Sequence, residues 1–236
     1  MGVTIESLAL DVMHVLDLSI TQLVVGRVFR LLIAGNFARC RSKLKMVRDN
    51  ENMKLLRRKM KVFYQNRPRD RGTKTVIGKL TLSMLGTKKS PKLKAKAAET
   101  RNILEILPEL LEDYKHIFGR MHDMLSRSVN SLIEVYQIMR RERRQLPASS
   151  LAELREAMCR HLILWKMSKG KLIPKHHYAW HLVERASING NPRFSWTYTD
   201  EQENRAMGQV AKSLHDGSTF YIRFLQKVLP EVCAGR

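Results

Sequence analysis

The 236-residue chain has only three cysteines, Cys40, Cys159 and Cys233, at wide spacings and without a CxxC pair. An odd number with no dense framework excludes a disulfide-stapled secreted domain and points to three small buried residues. Long hydrophobic runs are missing too. The longest, Ile20 to Ala34, is interrupted by Arg27 and Arg30 and is too short for a bilayer span. Glu6 stands where a signal peptide would build its apolar core and where a myristoylation signal requires Ser or Thr. There is no HExxH, no glycine-rich phosphate loop and no GxSxG elbow, so the motifs of zincins, P-loop proteins and α/β-hydrolases are missing. His181-Leu-Val-Glu184 is a single reversed pair, insufficient for a di-iron bundle. Acids are scarce, 22 against 43 Lys plus Arg, for a formal charge of +21.

What is present is a chain apolar enough to fold, with 44% hydrophobic residues and a length suited to one or two domains. The charge is concentrated. Arg27 to Lys96 holds 22 Lys or Arg and three acids, net +19, so the rest of the chain carries only +2. Nucleic acid is the commonest partner that rewards such an excess. The cations expected to hold phosphates are Lys54, Arg57, Arg58, Lys59 and Lys61, then Arg67, Arg69 and Arg71, then Lys88, Lys89, Lys92, Lys94 and Lys96. Met53, Leu56, Met60 and Phe63 recur at helical spacing, so residues 51 to 65 read as an amphipathic helix with one basic face. Such a face suits phosphates, an acidic protein partner or simple solvation. A membrane surface is the weakest partner, since no second anchor accompanies the helix. DNA is the expected partner and RNA the alternative, in an intracellular, nuclear protein whose oligomeric state is left open.

The remaining periodicity is helical. Ser19 and Gln22 form a capping-box pattern ahead of a first helix that Gly35-Asn36 would stop. A second region runs from about 94 to 118, with Pro108 kinking or restarting it. Helices extend from Met121 to the Arg140–Arg144 run, from Ser150, with Glu153 as its capping partner, to Trp165, and from Pro174 to Arg185. Ile188 to Thr199 reads as a loop with one short strand, ahead of helices near 200–217 and 220–229. The fold class is therefore mainly α, a helical bundle-like unit with at most one or two short strands. Three segments divide it: 1–26, the basic 27–96 and the helical 97–236.

Two short patterns stand apart from packing. His177 and His181 lie four apart and share a helix face, the spacing that holds one metal with two imidazoles; Asp11 and His14 lie three apart. Together they offer four ligands, enough for a closed tetrahedral zinc site, although the histidines also suit an ordinary polar surface around Tyr178 and Trp180. Asp200, Glu201 and Glu203 cluster at an expected helix start, where capping accounts for them and where a Mg²⁺-binding carboxylate would also sit.

The strings Asp11-Val-Met-His14-Val-Leu-Asp-Leu, Lys79-Leu-Thr-Leu, Pro91-Lys-Leu-Lys-Ala-Lys-Ala-Ala-Glu-Thr-Arg101, Pro174-Lys-His-His177 with His181, and Gly190-Asn-Pro-Arg-Phe with Trp196-Thr-Tyr and Asp200-Glu201 resemble transposon-like proteins of protist and algal genomes. The likeness spans nearly the whole chain. Its layout is similar to the C-terminal part of eukaryotic cut-and-paste DDE transposases and the related V(D)J recombinase, whose RNase H-like domain carries a helical insertion before the last catalytic acid. The resemblance implies that Asp11 and His14 open that insertion and that His177 and His181 complete a structural zinc site. It also implies that Glu201, 20 residues beyond His181, is the last catalytic acid, acting with Mg²⁺ in strand cleavage and transfer. The family takes its first two catalytic Asp from strands ahead of the opening motif, where this sequence offers ten residues. The expectation is thus a transposase-derived DNA-binding protein that is catalytically incomplete on its own, with a non-enzymatic helical protein binding RNA or an acidic partner as the alternative.

Overall fold

The chain divides into two units, Met1–Ser195 and Trp196–Arg236. The structure, a computed structural model, describes residues 10–67, 75–195 and 197. A long helix is the axis of the first unit. Asp11 starts it: Oδ1 and Oδ2 accept the backbone N–H groups of Met13 and His14, each at 3.1 Å, satisfying donors that a helix start leaves open. Met13–Thr21 is wound as a π-helix and continues into α1, Gln22–Ala34. The Ser19 Oγ donates to the His14 carbonyl five residues back at 2.8 Å, in keeping with the wider winding. The expected Ser19–Gln22 capping box therefore does not form. Both residues lie buried inside a helix that begins at Val12. Its end is where the sequence places it, with Asn36 at a left-handed φ of 52°.

From Val12 to Ile33 most residues of this helix are buried, His14 being exposed and Leu18, Arg27, Arg30 and Leu31 half-buried, so burial extends round most of its circumference and makes it the core's axis. Helices α2 (Lys45–Asn66), α3 (Ala97–Leu104), α4 (Leu107–Asp113) and α5 (Lys115–Phe118) pack against α1. Helices α3 and α8 (Pro174–Glu184) flank the π-helical stretch. Helix α6 (His122–Arg141) pairs with α7 (Ala148–Met167), burying Leu125, Val129 and Leu132 against Leu154, Ala157 and Met158, and α7 in turn carries α8. The segment after α2 crosses α1 at Gly26, where Leu93 N–H donates to the Gln22 carbonyl at 2.9 Å. A Cβ on Gly26 would stand 2.6 Å from the Leu93 nitrogen, so only glycine admits this crossing.

Other elements depart from expectation in instructive ways. Pro108 does restart the chain, as the second residue of α4. Helix α7 starts at Ala148, not at Ser150, because the Ser150 Oγ is buried and donates to Glu142 at 2.8 Å instead of capping. After α8 come a single helical turn, α9 (Ala186–Asn189), and a 3₁₀ turn, Pro192–Ser195; within the segment expected to hold a short strand, Trp196 and Tyr198 lie outside the described residues. Among the described residues the only β pairing is one bridge, Gly86 to Pro91. Cys40 and Cys159 are half-buried, not buried. The helices expected near 200–217 and 220–229, and Cys233, lie outside the described residues. No described helix is long and apolar enough to cross a membrane.

Candidate nucleic-acid interface

Helix α2 has a clear division of faces. Met53, Leu56 and Met60 are buried, each contributing about 1.5–3 kcal/mol by leaving water, and they fix the orientation of the whole helix. The 3.6-residue period then places Lys54, Arg58 and Lys61 in one outward stripe with Arg57 on its flank, and all four are exposed. Of these, only Lys54 meets a carboxylate among the described residues, that of Glu51 at 2.7 Å. The Arg57 Nε donates to the Leu80 carbonyl at 2.7 Å, which holds its guanidinium in place.

Two of the expected phosphate ligands are engaged elsewhere. Lys59 lies on the opposite flank, bonded to Asp113 at 2.7 Å and facing Glu109 at 3.5 Å, and the Asp113 hydrogen bond raises the affinity of its amine for the proton. Arg67 pairs with Glu105 and donates to the Asn102 carbonyl. Arg69 and Arg71 lie outside the described residues. The second basic segment is laid out by alternation: Leu93 is fully buried, so Lys92, Lys94 and Lys96 fall on the solvent side. Lys88 and Lys89 are exposed in the turn between Gly86 and Pro91. Arg30 ties this turn down by donating to the carbonyls of Leu82, at 3.1 Å, Leu85 and Gly86.

Arg27, the other charge in the apolar run, reaches across the core. It donates to the Ser168 Oγ at 3.0 Å and lies over the Trp165 ring at 4.9 Å, and burial lowers its pKa. Trp165 is flanked by His161 and His176, both stacked on it and both buried. The His161 Nδ1–H donates to the Ser128 carbonyl at 2.9 Å, and burial pushes its pKa down to about 4. A second buried polar group joins distant segments: the Tyr136 hydroxyl donates to Asp17 Oδ1 at 2.6 Å and accepts from Thr21 at 2.8 Å. Burial first, and the Asp17 charge second, hold the Tyr136 phenol well above its usual pKa. Sequence spacing carries no sign of this pairing, whose members are more than a hundred residues apart.

The candidate metal ligands appear as two pairs. On α8, His177 Nε2 and His181 Nε2 stand 2.9 Å apart, and His181 Nδ1 donates to Glu184 Oε2 at 2.9 Å. Two nitrogens on one tetrahedral zinc would lie roughly 3.3 Å apart, so this pair needs only a small opening to chelate. The Glu184 carboxylate supplies the outer partner that orients a ligating imidazole. Asp11, by contrast, spends its oxygens on the helix start and on His14 Nδ1. The π-helical stretch and α8 are packed neighbours, yet among the described residues no three His, Cys, Asp or Glu side chains gather as a metal site. Glu201 lies outside the described residues. No protein-family profile, curated protein or solved structure matches this chain.

Proposed function

We propose that this chain is a DNA-binding unit of a transposase-related protein, holding the DNA backbone along α2 and the lysine-rich segment 88–96. One observation carries the binding part: buried Met53, Leu56 and Met60 turn Lys54, Arg58 and Lys61 outward in a single stripe with Arg57 on its flank, and of these four cations only Lys54 has a carboxylate partner among the described residues. Such contacts position a duplex without reading its sequence. The link to transposition rests on the motif resemblance, and nuclear localisation is proposed with it. Two-metal strand cleavage and transfer require several carboxylates about the ions, and Glu201 is the one residue assigned that role, with Mg²⁺. The function proposed for the described residues is DNA binding.

Titrating salt against a labelled duplex tests this. If about six phosphates are engaged, affinity should fall roughly a thousandfold from about 50 to about 200 mM salt. Absence of binding at low salt overturns the reading, and tighter binding of an acidic peptide or of RNA than of DNA favours the alternative partners. In the same reading His177 and His181 would hold a structural zinc, joined by the opening Asp11–His14 pair after rearrangement. The ion would pin the chain's start to α8. Purified protein retaining one zinc per chain, lost on His177→Ala, supports this; protein carrying none refutes it.

A further inference from the structure

The C-terminal half of α2 and the segment Val76–Leu80 enclose a cleft of about 420 Å³, within the roughly 300–1,000 Å³ of small-molecule sites. One wall is formed by two ridges of α2, Arg57–Lys61–Gln65 and Met60–Tyr64, whose members are four residues apart. The other is irregular backbone, in which the N–H groups of Gly78, Lys79 and Leu80 make no hydrogen bond among the described residues. Its interior is apolar, with Met60, Ile77 and Leu80 buried and Val76 still 43% exposed. Three cations, Arg57, Lys61 and Lys79, line it, and none of its described lining residues carries a carboxylate. The Leu80 carbonyl holds Arg57 by Nε alone, which leaves both terminal nitrogens of its guanidinium for a ligand.

An apolar slot with cations and open backbone donors matches a flat heterocycle joined to a phosphate. Lys61 decides where that ligand comes from, since it belongs both to the cleft and to the outward stripe of α2. A nucleic-acid backbone lying on the stripe passes the mouth of the cleft. A stacked, paired base cannot enter, whereas an unstacked one can. We infer that the cleft receives one unstacked nucleotide of the bound nucleic acid, its base against Met60, Tyr64 and Val76 and its phosphate on Arg57, Lys61 and Lys79. This rests on the reading that α2 binds a nucleic-acid backbone.

The test compares two labelled duplexes of equal length, one fully paired and one with a single unpaired 2-aminopurine nucleotide. The full chain should prefer the second by roughly five- to hundredfold and change the fluorescence of the 2-aminopurine. Val76→Asp, at a position 43% exposed, should bring the ratio of affinities close to one while both duplexes still bind. Lys79→Gln should lower the same ratio. Equal affinity for the two duplexes, or a preference unchanged in Val76→Asp, overturns the inference and leaves backbone binding standing. Failure to bind either duplex at low salt removes the backbone reading itself.

Discussion

Replacing Arg57, Arg58 and Lys61 together by Gln separates charge that faces outward from charge already used inside the molecule. Each cation that meets a phosphate displaces condensed counterion and adds about 0.9 to the slope of log affinity against log salt. Three contacts correspond to a slope change of about 2.7, so over a fourfold rise in salt about fortyfold of the wild-type loss should vanish in the variant. The control is Lys59→Gln on the same helix. Its ammonium is already held by Asp113 at 2.7 Å and Glu109 at 3.5 Å. It should leave the slope nearly unchanged and cost only the ~0.2–1 kcal/mol of a surface ion pair. Fluorescence anisotropy with a labelled duplex at several salt concentrations reads the slopes. Thermal unfolding of each variant confirms that α2 still docks, which matters because Arg57 also ties Leu80. If Lys59→Gln lowers the slope as much as Lys61→Gln does, the assignment of faces is wrong. If the triple variant keeps the wild-type slope, the stripe does not meet phosphates.

Three further outcomes test the core that holds this face in place. The folded pKa of His161 is depressed from 6.5 to about 4, so its contribution is complete above pH 6.5 and is lost as pH falls toward 4. About 2 kcal/mol should disappear between pH 8 and pH 5, and urea unfolding of His161→Asn, which keeps a donor toward Ser128, should show that much less pH dependence than wild type; equal losses refute the assignment. Gly26→Ala gains about 1 kcal/mol of helix propensity but drives a Cβ to 2.6 Å from backbone at Leu93, so it should destabilise by about 1–3 kcal/mol; a raised Tm would show that the crossing yields. Tyr136→Phe removes the hydrogen bond to Asp17 with little change of shape and should cost about 1–3 kcal/mol in urea unfolding, while a cost under about 0.5 would mean the buried network contributes little.

Local chemistry was legible in the sequence where it decides structure locally. The alternation of Met53, Leu56 and Met60 against lysines and arginines announces α2 and its buried side, Pro174 opens α8, and Pro108 restarts the chain after α3. Where the reading failed, a tertiary partner overrode a local pattern. Ser19 and Gln22 spell a cap, but the helix already starts at Asp11, and Ser19 serves the π-helical winding through His14. Ser150 spells a cap, but Glu142 claims its hydroxyl. The cations show the same limit. Lys59 and Lys61 are equivalent as sequence, and only the position of α4 makes one an internal ion pair and the other an open charge. The cleft was invisible for a similar reason, since Tyr64 and Val76 carry no mutual pattern in the sequence and line one cleft only in the fold.

The two arginines that interrupt the apolar run explain why a stretch of such high charge can be presented at all. Charges of one sign crowded into 70 residues repel one another, and a loop of lysines left to itself would extend and lose entropy on binding. Here Arg30 gathers the carbonyls of Leu82, Leu85 and Gly86, and Leu93 buries itself beside Gly26, so the lysines at 88–96 project from a turn fastened at both ends to α1. Arg27 fastens the same helix from its other side to Trp165 and Ser168. These two cations are spent on organising the scaffold. That expenditure lets the remaining ones act as a preset array, in which phosphate contacts need not first order the chain that makes them.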